Sequence, residues 1–176
     1  MLFWLLMLNG NRDFYSHDEA MLNLFPQHTQ KTLVWGHWDQ VPVTLKRQLE
    51  ADPELRDARL EGEFEVYAVS KEHQFLGWTV LTEEFGKHQP MTIMVAIRPD
   101  YSVSGALLVT FRENRGYGIK HPKFQKQFND KTTNDPIEVG IDIVHVSGST
   151  ISSRAMALGV RKALRVVAEL NHAGYP

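Results

Sequence analysis

The stretch that decides the fold is Glu63-Phe64-Glu65-Val66-Tyr67-Ala68, in which apolar side chains occupy every second position. A period of two residues is typical of a β-strand that buries one face. The polar turn of residues 71–74 follows, and residues 75–81, with Gly77 among them, form the next apolar segment. Two such segments joined by a short polar turn predict an antiparallel hairpin.

Further apolar segments extend this pattern in both directions. Residues 91–97 predict a third strand, and a turn at 99–102 leads to a fourth over residues 105–111. Residues 137–146, whose sequence is Ile-Glu-Val-Gly-Ile-Asp-Ile-Val-His-Val, predict a fifth. Upstream, residues 32–35 predict a short strand, whereas residues 43–50 fit a strand or a helix equally well.

Helices are predicted at both ends of this region. Ser16 and Glu19 have the spacing of a capping box, so a helix begins there and ends before Pro26. After Ser152 or Ser153, either of which could be the N-cap, apolar residues recur at helical spacing: Met156, Val160, Ala163, Leu164, Val167 and Leu170. A helix, then mainly antiparallel strands, then a helix predict an α+β domain. Its C-terminal helix packs on the sheet, and its N-terminal helix is short.

Composition narrows the function classes. The 176 residues include 19 basic and 21 acidic side chains, a net charge of -2, so general binding to nucleic acid is not expected. The absence of cysteine excludes disulfides, thiolate metal sites, iron–sulfur ligation and a cysteine nucleophile. The eight histidines show no paired spacing on a helix, and no metal site is expected.

The segment Ser147-Gly148-Ser149-Thr150-Ile151-Ser152-Ser153 lies directly before the last helix. The unpaired N–H groups of a first helical turn, together with the helix dipole, favour a bound phosphate. Its small residues leave room for a ligand to approach the backbone. On spacing alone, a Ser/Thr-rich helix cap without any ligand is the more common use of such a segment.

A second candidate segment, Gly116-Tyr117-Gly118, follows the predicted fourth strand. Its glycines free the backbone, and its tyrosine could stack on a flat ligand. Three residues alone fit an ordinary turn at least as well. The neighbouring Arg112, Glu113 and Arg115 fit a solvated charge cluster as well as a site.

Taken together, these segments resemble the FMN-binding domain family. Such domains occur in the G and C subunits of the Rnf and Na⁺-translocating NADH:quinone reductase complexes, and in the nitrous oxide respiration regulators. The family pattern is close to D-x-x-[ST]-G-A-T-x-[ST]-S followed by a helix, and residues 144–153 are the matching segment. In the family the Thr or Ser after G-A is joined to FMN by a phosphoester bond. The resemblance places that bond at Thr150.

Other segments agree in order along the chain. Gly77-Trp78 matches the family's G-[YF] strand, and residues 86–97 resemble its glycine-led strand. Residues 113–118 resemble the E-x-x-G-x-G loop beside the flavin, and residues 124–131 resemble an F-x-x-x-F-x-G-K segment. The likeness covers roughly residues 62–170, with soft boundaries, and weaker support comes from residues 14–26.

The chain also departs from the family pattern. Val144 stands at the usual Asp position, with Asp142 nearby but out of register; Ser149 replaces Ala, and Asp130 replaces Gly. Because the flavin transferase reads this motif, two alternatives to covalent flavin remain. One is a noncovalent FMN oxidoreductase, and the other is a flavin-free binding or sensing module that regulates a membrane redox partner.

The resemblance implies an electron-transfer flavoprotein more than a stand-alone enzyme. It implies a flavin transferase for maturation and a membrane or periplasmic redox partner. The cofactor-binding residues would come from the two candidate segments and Glu113: Thr150, Ser147, Gly148, Ser149, Ile151, Ser152, Glu113, Gly116, Tyr117 and Gly118.

The resemblance also implies an extracytoplasmic location, in the periplasm or anchored to the membrane and facing outward. Residues 1–8 are all apolar but too few to span a bilayer as a helix. They fit either a buried segment or the remnant of a leader or anchor, and the resemblance favours the remnant. We therefore divide the chain into residues 1–12, a possible leader or anchor remnant, 13–61, the N-terminal helix with a connecting segment, and 62–176, the FMN-binding domain.

Overall fold

The computed structural model describes residues 12–60 and 62–172. Its single sheet has six strands in the order β1-β6-β5-β4-β3-β2, and every neighbouring pair is antiparallel. The strands are β1 (Arg12–Asp13), β2 (Gln30–Trp35), β3 (Phe64–Lys71), β4 (Gln74–Phe85), β5 (Pro90–Ile97) and β6 (Val103–Phe111). The predicted hairpin and the strands on either side of it are confirmed.

The α-helices are α1 (His17–Leu24), α2 (Val43–Ala51), α3 (Pro122–Gln125) and α4 (Thr150–His172). Short 3-10 helices occupy Trp38–Gln40, Pro53–Leu55, Tyr117–Lys120 and Lys126–Phe128. The capping box at Ser16 and Glu19 is present, as predicted. Residues 43–50, which fit either element, are helical because Leu45 and Leu49, four residues apart, both face the core.

The helices cover both faces of the sheet. On one face α4 packs Met156, Val160 and Val167 into a core shared with Ile93 and Val95. On the other face α1 buries Ala20 and Met21 in a second, smaller core with strand residues that include Leu81 and Met94. The predicted α+β class, with a C-terminal helix packed on an antiparallel sheet, is confirmed.

A buried ion pair fastens α4 to the sheet. Lys162 and Glu84 are each about 1% exposed, and Lys162 Nζ lies 2.6 Å from Glu84 Oε1. The same ammonium donates to the carbonyl oxygens of Glu83, at 3.0 Å, and Arg59. Burial raises the pKa of the Glu84 carboxyl and lowers the pKa of the Lys162 ammonium. Such a pair fixes how the helix lies on the sheet more than it adds stability.

The strand predicted over residues 137–146 is wrong. This segment is a loop whose only pairing among the described residues is an isolated bridge between Val139 and Ile143. Ile137 and Gly140 have φ angles of 46° and 96°, which a strand does not allow. The Asp142 carboxylate accepts hydrogen bonds from the amides of Ile137 and Glu138 and so folds the segment back on itself. Apolar residues alternate in this loop with the two-residue period of a strand, which is why the sequence predicted one.

The predicted start of the last helix also needs correction. α4 begins at Thr150, and the carbonyl of Ser149 accepts the first helical hydrogen bond, from Ser153 N at 2.8 Å. Ser152 and Ser153 are therefore inside the helix and are not its N-cap. Gly174 and Pro176, residue types typical of a helix stop, lie outside the described residues, as do the apolar residues 1–8.

Candidate functional site

The turn before α4 is exposed, and its backbone is open to a ligand. Ser149 N donates to Val146 O at 2.9 Å, which closes a four-residue turn. Gly148, at its third position, has a φ of 74°, a conformation that suits glycine. A side chain at Gly148 would meet nothing within 4 Å, so the space beside this backbone is open. Ser147 and Gly148 are exposed, and a ligand can reach their backbone.

Unpaired amide groups point from α4 toward this turn. Since the helix begins at Thr150, the N–H groups of Thr150, Ile151 and Ser152 have no acceptor within it. Ser153 fixes the turn from inside: its hydroxyl donates to Ser149 O at 2.9 Å and accepts from Val146 N at 3.2 Å. The helix is 23 residues long, so its dipole is fully developed. This end of α4 can hold a phosphate.

The Gly116-Tyr117-Gly118 segment packs directly on this turn. A Cβ placed on Gly116 would lie 2.4 Å from Ser152 Oγ, and one on Gly118 would lie 2.9 Å from Val146 Cγ1 and 3.2 Å from Ser149 Oγ. Only glycine allows this approach. The structure therefore brings together the two segments that the sequence singled out separately.

A cleft of about 800 Å³ opens beside the two segments. Its walls are mainly apolar, and its volume is within the range of small-molecule binding sites. The lining residues are Tyr117, Gly118, Lys120, His121, Pro122, Lys123, Phe124, Gln127, Val144, His145 and Val146. No carboxylate lines the cleft, whereas two lysines and two histidines do, so its charge suits an anionic ligand.

Gln127 holds the wall of this cleft. Its side-chain amide donates to Val144 O at 3.0 Å and accepts from Val144 N at 2.9 Å, as a paired strand would. Val144 itself is 73% exposed, so the residue at the family's Asp position has an open side chain beside the cleft. Sequence reasoning did not single out Gln127, Phe124 or the lysines. The only signal in the sequence was their position. They lie in, or just before, residues 124–131, which resemble the family's F-x-x-x-F-x-G-K segment.

Tyr117 lies at the border between the turn and the cleft. It is 44% exposed, and the guanidinium of Arg12 sits 4.2 Å from the centroid of its ring. The other face of such a ring can stack on a planar ligand. Tyr117 is therefore placed where a flat group in the cleft would meet it.

Glu113 is placed differently from the other candidates. Its Oε1 accepts from His88 N at 2.7 Å and from Gln89 N at 3.1 Å. The carboxylate thereby fixes the turn between β4 and β5, and Glu113 is absent from the lining of the cleft. Its contacts are those of a residue that shapes a loop.

Two departures from the family pattern have local explanations. Asp130, where the family has Gly, adopts a φ of 63° and bonds to Arg98 Nη1 at 2.8 Å. Short polar side chains tolerate this conformation better than others do. Asp142 accepts from Glu138 N at 2.7 Å and from Lys131 Nζ at 2.7 Å, so it is part of the loop's own framework. Asp142 is therefore not a substitute for the missing Asp at position 144.

Comparison with known proteins agrees with this geometry. The model of a family described as the FMN-binding domain matches residues 86–165. That match takes in the cleft, the glycine segment and the turn before α4. These residues match the FMN-binding domain family. The family predicted from the sequence is confirmed.

A relative from Clostridium ljungdahlii is named as the G subunit of a proton-translocating ferredoxin:NAD(+) oxidoreductase complex. It is 30% identical over 117 residues, which cover 62% of this chain and 63% of the relative. The matched region thus spans somewhat less than two thirds of the relative's length.

The matched region offers residues that fit FMN. The turn at 147–152 suits the phosphate, and the apolar cleft next to it has room for the flat ring. Within residues 12–60 and 62–172, no helix is long and apolar enough to cross a membrane, and no group of three or more His, Asp and Glu side chains is arranged to hold a metal.

Proposed function

We propose that this chain carries electrons through a bound FMN. The observation that carries the proposal is a juxtaposition: an open helix N-terminus suited to phosphate adjoins an apolar cleft of about 800 Å³ with basic lining residues. FMN has a phosphate at one end and a flat ring at the other, in the same order. When bound, FMN supplies reversible electron transfer.

The phosphate end would be held by the turn and the first residues of α4. The amides of Thr150, Ile151 and Ser152 donate to phosphate oxygens, and the open backbone at Ser147 and Gly148 lets them approach. Ser149 contributes by keeping the turn closed through its own N–H. We further propose that a flavin transferase moves the FMN group of flavin adenine dinucleotide to Thr150 Oγ1. The hydroxyl loses its proton, the new O–P bond replaces the pyrophosphate bond of the dinucleotide, and AMP leaves. The product has the mass of protein plus FMN minus one water.

The ring end would be held by the cleft. Phe124 and Val146 exclude water from the ring, and Tyr117 flanks it. Because Gly116 and Gly118 have no side chain, their loop packs closely against the turn before α4. The ring in the cleft and the phosphate at the turn would therefore be neighbours. Glu113 would act less directly, by holding the turn between β4 and β5 against the start of this segment. Burial and the positive lining residues then set the potential of the flavin.

The proposed setting is a redox complex at a membrane, on its extracytoplasmic side. Two things support it: the family resemblance and the relative whose printed name is a subunit of a proton-translocating oxidoreductase complex. The electron donor and acceptor would be partner subunits or periplasmic redox proteins. The domain has no separate substrate site in this proposal, so it acts as a relay.

Val144 supports a second candidate, in which FMN is bound without the covalent bond. An exposed valine replaces the aspartate of the motif that the transferase reads. The turn and cleft do not depend on that aspartate, so noncovalent binding keeps the same geometry. A third candidate is a domain that binds no flavin and senses a membrane partner. The test below distinguishes all three.

The test is the intact mass of denatured protein exported from a host with and without a flavin transferase. We expect FMN minus one water to be added only with the transferase, and to be lost in Thr150→Ala. Thr44→Ala, an exposed threonine of α2 outside the motif and the cleft, is the matched control and should keep the added mass. Unmodified but yellow protein would move the assignment to noncovalent FMN, and unmodified colourless protein would favour the flavin-free module.

A further inference from the structure

A second cleft, of about 420 Å³, lies on the other side of the loop at 137–146. Its walls are the segment 53–57, the loop residues 137–139, and the second to fourth turns of α4. It shares no lining residue with the cleft described above. Whatever binds here is therefore separate from the flavin.

Three arginines converge on this second cleft. Arg56, Arg154 and Arg161 all line it, and none of their side chains makes an ion pair or a hydrogen bond with the described residues. By contrast Arg165, one turn further along α4, is paired with Asp52 and Glu54. Glu54, an acidic residue of this segment that also lines the cleft, is thus already engaged.

Arg161 is the informative member of the three. Arg56 and Arg154 are exposed at the rim, but Arg161 is half-buried beside the buried residues Ile137 and Ala157. Its Nε is fully shielded and has no hydrogen-bond partner. A buried donor of a charged group that is left unpaired is costly, and native proteins seldom leave one without an acceptor. Arg161, whose side chain lines the cleft, therefore carries a shielded donor that lacks an acceptor.

We propose that this cleft binds a small anion that carries a carboxylate or a phosphate, with Arg161 as the floor contact. A guanidinium presents parallel donors that match the oxygens of either group. Arg154, two helical turns before Arg161, lies on the same face of α4 and can complete the pair. Asp57 and Glu138 are exposed at the rim, where water screens their repulsion.

The test follows the Arg161 Nε–H signal by NMR in the full chain. Inorganic phosphate and succinate are added separately, with chloride at equal ionic strength as the reference. We expect the Arg161 signal to shift and saturate with at least one of them. The tighter of the two identifies the head group of the natural ligand.

Variants make the test specific. Arg161→Gln should weaken binding about tenfold or more, because it removes charged hydrogen bonds, and Arg161→Lys should recover only part of the affinity. Arg47→Gln, an exposed arginine of α2 that lines neither cleft, should leave binding unchanged. If Arg161→Gln does not fold, the exposed Arg154→Gln should weaken binding in its place.

Three results would overturn the proposal. One is an Arg161 signal that phosphate and succinate leave unmoved, which would mean that water alone satisfies the donor. Another is a shift confined to the amides of residues 147–152, which would place the anion at the flavin turn. The third is equal weakening by Arg47→Gln, which would mean general charge screening.

Discussion

At the scale of single residues, Gly116 is the position in the candidate site where a side chain is least tolerated. It has a φ of 97°, and an added Cβ would lie 2.4 Å from Ser152 Oγ. Gly116→Ala should therefore both strain the backbone and push the loop away from α4. We expect a loss of about 2–4 kcal/mol in unfolding free energy from the two effects together. Urea denaturation followed by circular dichroism measures it.

Gly140 provides the matched control for that variant. Its φ is 96°, but an added Cβ would meet nothing within 4 Å. Gly140→Ala should cost only the backbone strain, about 1 kcal/mol. Equal losses in the two variants would show that the close contact between Gly116 and Ser152 is unimportant.

The Asp142 carboxyl makes the stability of the loop at 137–146 depend on pH. Burial acts to raise its pKa, but hydrogen bonds from Lys131 and from the amides of Glu138 and Ile137 outweigh burial and lower it. A lowered folded-state pKa adds stability above the ordinary value of 3.8, and this stability is lost as pH falls through the folded-state value. Asp142→Asn should be less stable than the parent at pH 7, and the gap should narrow below pH 3.8. Urea midpoints at several pH values test this, and a constant gap would contradict it.

Residue-level prediction from the sequence worked where a residue has a local role. Ser16 and Glu19 form their capping box within one helical turn, so the spacing alone was sufficient. Gln127 could not be found in this way. Its partner Val144 is 17 residues away, and a glutamine that pairs with a distant backbone leaves no periodic signal.

At the scale of elements, the contact between α4 and β5 depends on Gly159. A Cβ there would lie 2.2 Å from Ile93 Cδ1, in a fully buried position. Alanine normally favours a helix over glycine by about 1 kcal/mol, but here overpacking should outweigh that gain. We expect Gly159→Ala to destabilise the protein, and Ile93→Val, which removes that methyl group, to rescue it. A double-mutant cycle measures the coupling, and additive effects would contradict the packing argument.

Elements were predictable where periodicity and burial agree. The strand over 64–71 alternates, the strand over 90–97 is apolar except at Thr92, and α4 has a long helical repeat. The segment 137–146 misled the sequence-based prediction because its alternation arises from a folded loop. Ile137 and Gly140 both have positive φ angles. The amide of Ile137 donates to the Asp142 carboxylate, which Lys131 also binds, and the amide of Gly140 donates to Ile143 O. These partners lie several residues away, so alternation alone does not reveal them.

At the scale of the whole molecule, the sheet does not end where the predicted FMN-binding domain of 62–176 begins. β2 pairs with β3, and Trp35, Trp38 and Leu45 lie in the same core as α4. A chain of residues 62–176 alone would expose this apolar surface and an open strand edge. We expect it to aggregate or to lose its near-ultraviolet circular dichroism, whereas residues 12–176 should keep it. A native-like spectrum from the short chain would show that 62–176 folds independently.

The central functional feature that we propose is the turn at 147–152, which binds the phosphate of a flavin whose ring lies in the adjoining cleft. The most direct measurement is a titration of unmodified protein, made without a flavin transferase, with FMN and with riboflavin, followed by flavin fluorescence. Riboflavin has the same ring but no phosphate. The account predicts that FMN binds at least about tenfold more tightly, because charged hydrogen bonds to the phosphate are lost with riboflavin. Equal affinities, or no binding of either flavin, would contradict it.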